Sequence, residues 1–352
     1  MKAIVLANNG NAIYSDIVYP VMELDEVVVK VQAAGICSSD IYRSHFNGAY
    51  FYPLIMGHEF CGEISSVGKD ENKFNVGDRV AVFPLMPCFK CNLCKIELYA
   101  QCKNYKYYGS RNQGGFSQYI AIKKWNLFKL DPTVDYVHGA ALEPVATVLH
   151  AISKFSNLEN GEFLILGAGY LGMISAKFLK MKYPKLRISV VDRNEFKLEL
   201  ISNYIDKKIC IQNENDWRNF FESHEGHFSH VLEACGAPKS FEGSVKVAAR
   251  QGEVVWMGNI SGDLKFAAKD ISSFLRKEVR LMGTWNSYYV PDKKSDWSDA
   301  HNLFKEGFDI NEFVGHKINL SEVPIYLQRL ADNKKGKISF DCIKVMINEF
   351  EK

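Results

Sequence analysis

The chain has 352 residues, 47% of them hydrophobic, with 43 basic against 41 acidic residues for a net charge of +2. That length accommodates two domains, and that charge balance offers no electrostatic footprint for nucleic acid or an anionic membrane. No stretch approaches the ~18 apolar residues of a membrane span, and the apolar run within residues 1–10 falls short of a signal h-region, so it reads as a first strand.

Residues 1–142 read as β-rich. Val27, Val29 and Val31 alternate with residues of a second face, as a half-buried strand requires. Gly35, Gly48, Gly57, Gly62, Gly68 and Gly77 punctuate short strands and predict a compact barrel-like domain. Pro144 suits the first turn of a helix over 145–155. From residue 162 the texture changes to strand–helix repeats. A strand at 163–166 is followed by Leu171, Ile174, Phe178 and Met181 at helical spacing, then by strands at 187–191, 230–232, 253–257 and 279–282. Such alternation predicts a parallel sheet covered on both faces. After about residue 288 the rhythm stops. Helices near 296–305 and 321–332 and a strand at 338–346 are expected there.

Nine cysteines are present. Cys88, Cys91, Cys94 and Cys102 form C-x2-C-x2-C-x7-C in one polar segment. Thiolates at this spacing can converge on one tetrahedral ion, and zinc accepts four sulfurs in a closed site. An iron–sulfur cluster, unrelated thiols or a disulfide pair are the competing readings. The remaining Cys37, Cys61, Cys210, Cys235 and Cys342 are scattered, which with the odd count predicts free or metal-bound thiols in a reducing cytoplasm.

Gly167-Ala168-Gly169-Tyr170-Leu171-Gly172 matches G-x-G-x-x-G between a strand and a helix. Gly167 permits the tight turn, Gly169 lets backbone approach a pyrophosphate, and Gly172 lets helix and strand pack closely. Asp192 ends the next strand, 20 residues beyond Gly172, where a carboxylate accepts ribose hydroxyls. Arg193 follows and suits a 2′-phosphate, which Asp192 repels. The pair favours NAD(H) over NADP(H).

Three further segments carry metal-ligand chemistry: Gly35-Ile36-Cys37-Ser38-Ser39-Asp40, Gly57-His58-Glu59-Phe60 and Glu143-Pro144. Soft and hard ligands from separate segments suggest a metal with an open coordination position, able to polarise a carbonyl or acidify an alcohol. Singly, a lone cysteine is more often core and a lone His-Glu more often a satisfied polar pair.

Taken together these motifs resemble the zinc-dependent medium-chain dehydrogenases of the alcohol and polyol type, over nearly the whole chain. The resemblance implies an α/β protein: a GroES-like β-rich catalytic domain in residues 1–148 and 289–352, and a Rossmann doubly wound parallel sheet in residues 149–288. It implies two zinc ions per chain. The catalytic one is held by Cys37 and His58 with Glu59 or Glu143 completing the shell. The structural one is held by Cys88, Cys91, Cys94 and Cys102. Ser39 matches the hydroxyl that relays the substrate proton, and Asp40 matches the carboxylate that orients the metal-bound histidine. Tyr42 stands where many relatives carry a relay histidine, so the proton leaves through Tyr42 or directly to water. A homodimer or homotetramer is implied.

Asn47-Gly48-Ala49, Tyr52-Pro53, Pro87-Cys88-Phe89, Gly109-Ser110-Arg111, Gly114-Gly115-Phe116 and Leu275-Arg276-Lys277-Glu278 carry a narrower resemblance, to polyol dehydrogenases acting on sugar-alcohol phosphates. The expected substrate is then a small polyol phosphate or ketose phosphate. Arg43 and Arg111 are the candidate phosphate anchors. Arg276 and Lys277 are expected to support the edge of the nucleotide-binding domain or its contact with the catalytic lobe. Tyr50, Phe51, Tyr52, Tyr107, Tyr108, Trp285, Tyr288 and Tyr289 suit either sugar stacking or packing. The alternatives are an unphosphorylated polyol dehydrogenase of the sorbitol type, a threonine dehydrogenase and, in another class, a non-catalytic nucleotide-binding scaffold.

Overall fold

The computed structural model describes residues 1–350 apart from 9, 47 and 70–72. Asn47, part of one segment quoted above, therefore lies outside the described residues. The chain forms two compact units, Met1–Ala146 with Ser287–Lys352, and Thr147–Asn286.

The first unit is organised by the strand Glu26–Gly35. Its run Val27, Val28, Val29 and Val31 is buried. On one edge it pairs antiparallel with Glu59–Ser66. On the other it meets Tyr119–Lys123 along its first half and Lys344–Glu349 at its end. Arg79–Val82 and Leu127–Lys129 extend the sheet one way, and Val314–Asn319 the other, giving seven strands. A smaller sheet centres on Lys2–Leu6. Val29, Val31, Ile64, Val80, Phe116, Ile122 and Leu327 share one core.

The expected strand at 338–346 is displaced toward the C-terminus and runs Lys344–Glu349. Before it, the Asn333 side-chain amide brackets the backbone of Phe340, donating to its carbonyl and accepting from its N–H at 3.2 Å each. That local pairing takes the place of a ladder. The strand Val314–Asn319 was not anticipated, because only Ile318 on it is fully buried.

In the second unit six parallel strands lie in the order Lys207–Cys210, Leu186–Asp192, Gly161–Leu166, Phe228–Glu233, Ala248–Trp256, Arg280–Gly283. The sequence order reverses beside Gly161–Leu166, which makes a topological switch point at the carboxyl ends of the strands. The outer strand Lys207–Cys210 had no sequence signal, since two of its four residues are exposed lysines. Lys277 is buried and its ammonium donates to the carbonyls of Val245, Lys246 and Ala248 at 3.2, 2.8 and 2.9 Å. It caps the helix Pro238–Val247 from within this unit. Among the described residues no helix is long and apolar enough to cross a membrane.

Candidate active site

Strand register places the candidate metal ligands. Gly35 and Glu59 are direct partners across the antiparallel pair Glu26–Gly35 and Glu59–Ser66. Cys37, two residues past Gly35, and His58, one before Glu59, therefore leave the sheet side by side. Ligand atoms of Cys37, His58 and Glu59 all lie within 4.8 Å of one another. Thiolate, imidazole and carboxylate at this separation suit zinc with three protein ligands and an open fourth position.

Cys37 also begins the helix Ser38–His45. Its N–H donates to Asp40 Oδ2 at 3.0 Å, as an N-terminal carboxylate in the first turn should accept. Asp40 is fully buried, with Arg43 Nη1 at 2.9 Å and His58 Nδ1 at 3.6 Å from its other oxygen. Burial opposes its charge, but His58, Arg43 and the Cys37 N–H hold the carboxyl below the usual carboxylate range. Burial likewise opposes a charge on His58, yet Asp40 and Cys37 prevail and hold the imidazole well above its ordinary value. His58 Nδ1 lacks a hydrogen bond at this spacing and faces the Asp40 carboxylate, which orients the ring as a carboxylate behind a metal ligand does. The guanidinium of Arg43 is thus committed to Asp40. Ser39 is half-buried in the first turn of the same helix. Tyr42 packs against Phe46 at 5.2 Å between ring centres, with the Lys334 ammonium 5.1 Å from its ring.

Glu143, in the first turn of the helix Leu142–Ile152, is not among the converging ligands. Its Oε1 accepts from the Tyr107 hydroxyl at 3.2 Å. The residue keeps part of its surface accessible but its carboxyl is enclosed, and burial pushes it up to about 7, with Glu59 acting in the same direction. The Tyr107 ring also meets His58 edge-on at 5.8 Å. Tyr105 contacts Tyr107 at 6.3 Å. Beyond it, Arg111 lies between two rings, 4.1 Å from the centre of Tyr50 and 4.6 Å from that of Tyr105, and donates to the Tyr50 hydroxyl at 3.0 Å. Two of the other aromatics considered for sugar contact, Tyr289 and Tyr108, belong to packing. Tyr289 is buried among Phe83, Trp125 and Trp297, its hydroxyl on the Leu127 carbonyl, and buried Tyr108 accepts from the Lys123 N–H.

The four-cysteine segment closes on itself. Sulfur separations are 3.9 Å for Cys88–Cys94, 3.5 Å for Cys91–Cys94 and 4.0 Å for Cys91–Cys102. Tetrahedral zinc–sulfur bonds of about 2.3 Å require sulfur–sulfur edges of about 3.8 Å, whereas a disulfide requires about 2.05 Å. Backbone N–H groups, led by that of Cys94, draw the Cys91 thiol down to about 6, while burial pushes Cys94 up to about 12. A cation is what allows all four to ionise together.

In the second unit, Gly167 has φ +109, and a Cβ there would press on the Cys235 backbone at 3.0 Å. A Cβ on Gly172 would overlap the Gly167 carbonyl, while Gly169 faces open space. Tyr170, Leu171 and Gly172 form the first turn of the helix Tyr170–Lys182, so the positive end of its dipole faces the switch point. Asp192 Oδ2 accepts from the Ala168 N–H at 2.8 Å and Oδ1 from Asn194 at 2.9 Å. Asp192 therefore ties the glycine turn to its own strand end, a task its sequence position did not reveal, and keeps lone pairs for a ribose hydroxyl. Arg193 is exposed.

Lys344 is the group at this site that sequence reading missed. Its ammonium is buried and pairs with Glu59 Oε2, also donating to the Ile36 carbonyl at 3.1 Å. A lone cation in the apolar segment Cys342–Ile347 was the only available signal.

A family model described as alcohol dehydrogenase GroES-like domain matches residues 23–132, and one described as zinc-binding dehydrogenase matches residues 171–306. The chain is 32% identical to galactitol 1-phosphate 5-dehydrogenase of Escherichia coli (strain K12) over 96% of its own length and 99% of that protein. It is 28% identical to L-galactonate-5-dehydrogenase of the same strain over 82% of each. The crystal structure of galactitol-1-phosphate dehydrogenase from Escherichia coli superposes with a TM-score of 0.87 at 28% identity, covering 99% of this chain and 100% of that one.

Proposed function

The chain belongs to the zinc-dependent medium-chain alcohol and polyol dehydrogenases, a family of nicotinamide-dependent enzymes, and from that membership we propose that it interconverts a sugar-alcohol phosphate and a ketose phosphate with NAD(H). The observation that carries the phosphate reading is the setting of Arg111. Two tyrosine rings hold its planar guanidinium, which still presents donors in the fork geometry that suits a phosphate. Its backbone N–H donates to the Tyr107 carbonyl at 2.9 Å, linking the anchor to the residue that touches both His58 and Glu143. The names of the two relatives support an anion on the substrate, a phosphate in one and a carboxylate in the other. Arg43 is not retained as a phosphate anchor, because its charge balances buried Asp40.

In this reading Cys37, His58 and Glu59 hold one zinc ion, and Cys88, Cys91, Cys94 and Cys102 hold a second with no position left for substrate. When bound, zinc would supply a Lewis acid for the substrate oxygen and the nicotinamide a hydride acceptor. Asp40 orients His58 through Nδ1. Ser39 Oγ accepts the alcohol proton and passes it on through Tyr42 or directly to water. Glu143 and Tyr107 form a hydrogen-bonded wall that fixes the substrate chain. Asp192 selects NAD(H), its carboxylate accepting the ribose hydroxyl and repelling a 2′-phosphate.

Assembly as a homodimer or homotetramer is part of the proposal, supported by the sheet edge Arg280–Gly283 with Ile271, Leu275 and Leu281 exposed nearby. None of the nine cysteines is joined in a disulfide, which supports a reducing cytoplasm.

Arg111→Met tests the anchor. It should raise KM for a ketose phosphate by about 10–100-fold, the effect of losing a charged hydrogen bond of about 1.5–3 kcal/mol, and leave the kinetics of the matching free ketose unchanged. Equal effects on both substrates, or none on either, would remove Arg111 from the phosphate site.

A further inference from the structure

The Glu59 carboxylate has two claimants. Glu59 is one of the clustered candidate ligands with Cys37 and His58, and its Oε2 pairs with Lys344. Lys344 comes from the strand Lys344–Glu349, which pairs with the end of Glu26–Gly35 through Met346 and Gly35. The same ammonium donates to the carbonyl of Ile36, the residue before Cys37. One buried cation thus grips both chain segments that deliver the ligands. The grip is built in sterically. Gly35 runs against the pair, and a Cβ there would overlap Glu59 Oε2 and come within 2.8 Å of Lys344 Cε.

A carboxylate with both oxygens free can close on a metal through both, and a zinc ion with a cysteine, a histidine and a bidentate glutamate has no position left for an alcohol in four-coordinate geometry. Engaging one oxygen with an ammonium leaves one for the metal. The ammonium also offsets carboxylate charge where Glu59 lies close to the Cys37 thiol.

We propose that Lys344 is a positioning residue for the reaction: it holds Glu59 to a single metal-facing oxygen and so keeps the fourth coordination position open to substrate. This rests on the reading of Cys37, His58 and Glu59 as the metal ligands. The role differs from simple structural support, since Lys344 limits how firmly Glu59 binds the metal instead of strengthening it.

The test uses the holoenzyme with cobalt exchanged for zinc in this site, and the variants Lys344→Met and Lys344→Arg. In Lys344→Met, release of the metal to a chelator should slow by about 10-fold, and kcat should fall by about 10–100-fold, the scale of effects from groups behind metal ligands. The visible cobalt bands should shift as the second Glu59 oxygen takes the fourth position from solvent. Lys344→Arg should restore both the bands and most of kcat. In a Glu59→Gln background, adding Lys344→Met should leave metal release unchanged. Faster metal release in Lys344→Met would overturn the proposal, as would unchanged release and spectrum with only a lower melting temperature. Cys37→Ala serves as the separate control. If it keeps the cobalt bands of the parent, the ligand assignment itself fails, independently of Lys344.

Discussion

Cys37→Ala should abolish turnover while leaving dinucleotide binding nearly intact. The thiolate is one of three ligand atoms gathered within 4.8 Å, and alanine leaves only His58 and Glu59, too few to retain the ion. A catalytic metal supplies several kcal/mol of charge stabilisation, so the loss in kcat should be about 1,000-fold or more. Metal content should fall by one ion per chain. Nicotinamide binding should persist, because Gly167, Gly169, Gly172 and Asp192 all belong to the other unit. Fluorescence titration with NADH and metal analysis of the same preparation check both halves. Retained turnover would remove the metal role from Cys37.

Cys94→Ser should have the largest effect on stability. The lobe around Cys88–Cys102 contains only a four-residue helix, Asn92–Lys95, and a single turn at Tyr99–Gln101. It also holds Phe89 and Glu97 at φ of +56 and +60, where side chains crowd the backbone. Its aromatic contacts, Phe89 and Tyr99 against Trp125 at 5.1 Å each, are few. Structural zinc contributes about 10–16 kcal/mol in small zinc domains, against a whole-domain stability of about 5–15 kcal/mol. Cys94 is the buried ligand most crowded by other sulfurs. Its loss should release one zinc per chain and lower the melting temperature by about 10 °C or more. Hydrogen exchange should show the loss of protection starting in residues 88–102. An unchanged melting temperature with one zinc missing would mean that the lobe holds its shape without metal.

The fold class was legible because its signals are local. An apolar strand, Gly167 at the turn and a helix from Tyr170 lie within some twenty residues, and their periodicities differ. Edge elements escaped because an edge strand has one wet face. Lys207–Cys210 and Val314–Asn319 therefore lack the burial pattern that marks a strand. Among the side chains, the cysteine segment stood out because its members are near one another in sequence. The partnership of Lys344 with Glu59 was invisible because 285 residues separate them, and only the sheet register brings them together. The commitment of Arg43 to Asp40 was hidden for a related reason. The i,i+3 spacing on a helix permits the pair, but the burial that makes Asp40 need it arises from tertiary packing.

The initial rate of NADH and NADPH oxidation by the zinc-loaded enzyme, with matched five- to seven-carbon ketoses and ketose phosphates as substrates, separates a phosphate-recognising zinc dehydrogenase from a general polyol dehydrogenase. Turnover is expected with phosphorylated ketoses, with little from the free sugars and a faster rate with NADH. Equal rates for free and phosphorylated ketoses would contradict the phosphate anchor, and a preference for NADPH would contradict the role given to Asp192.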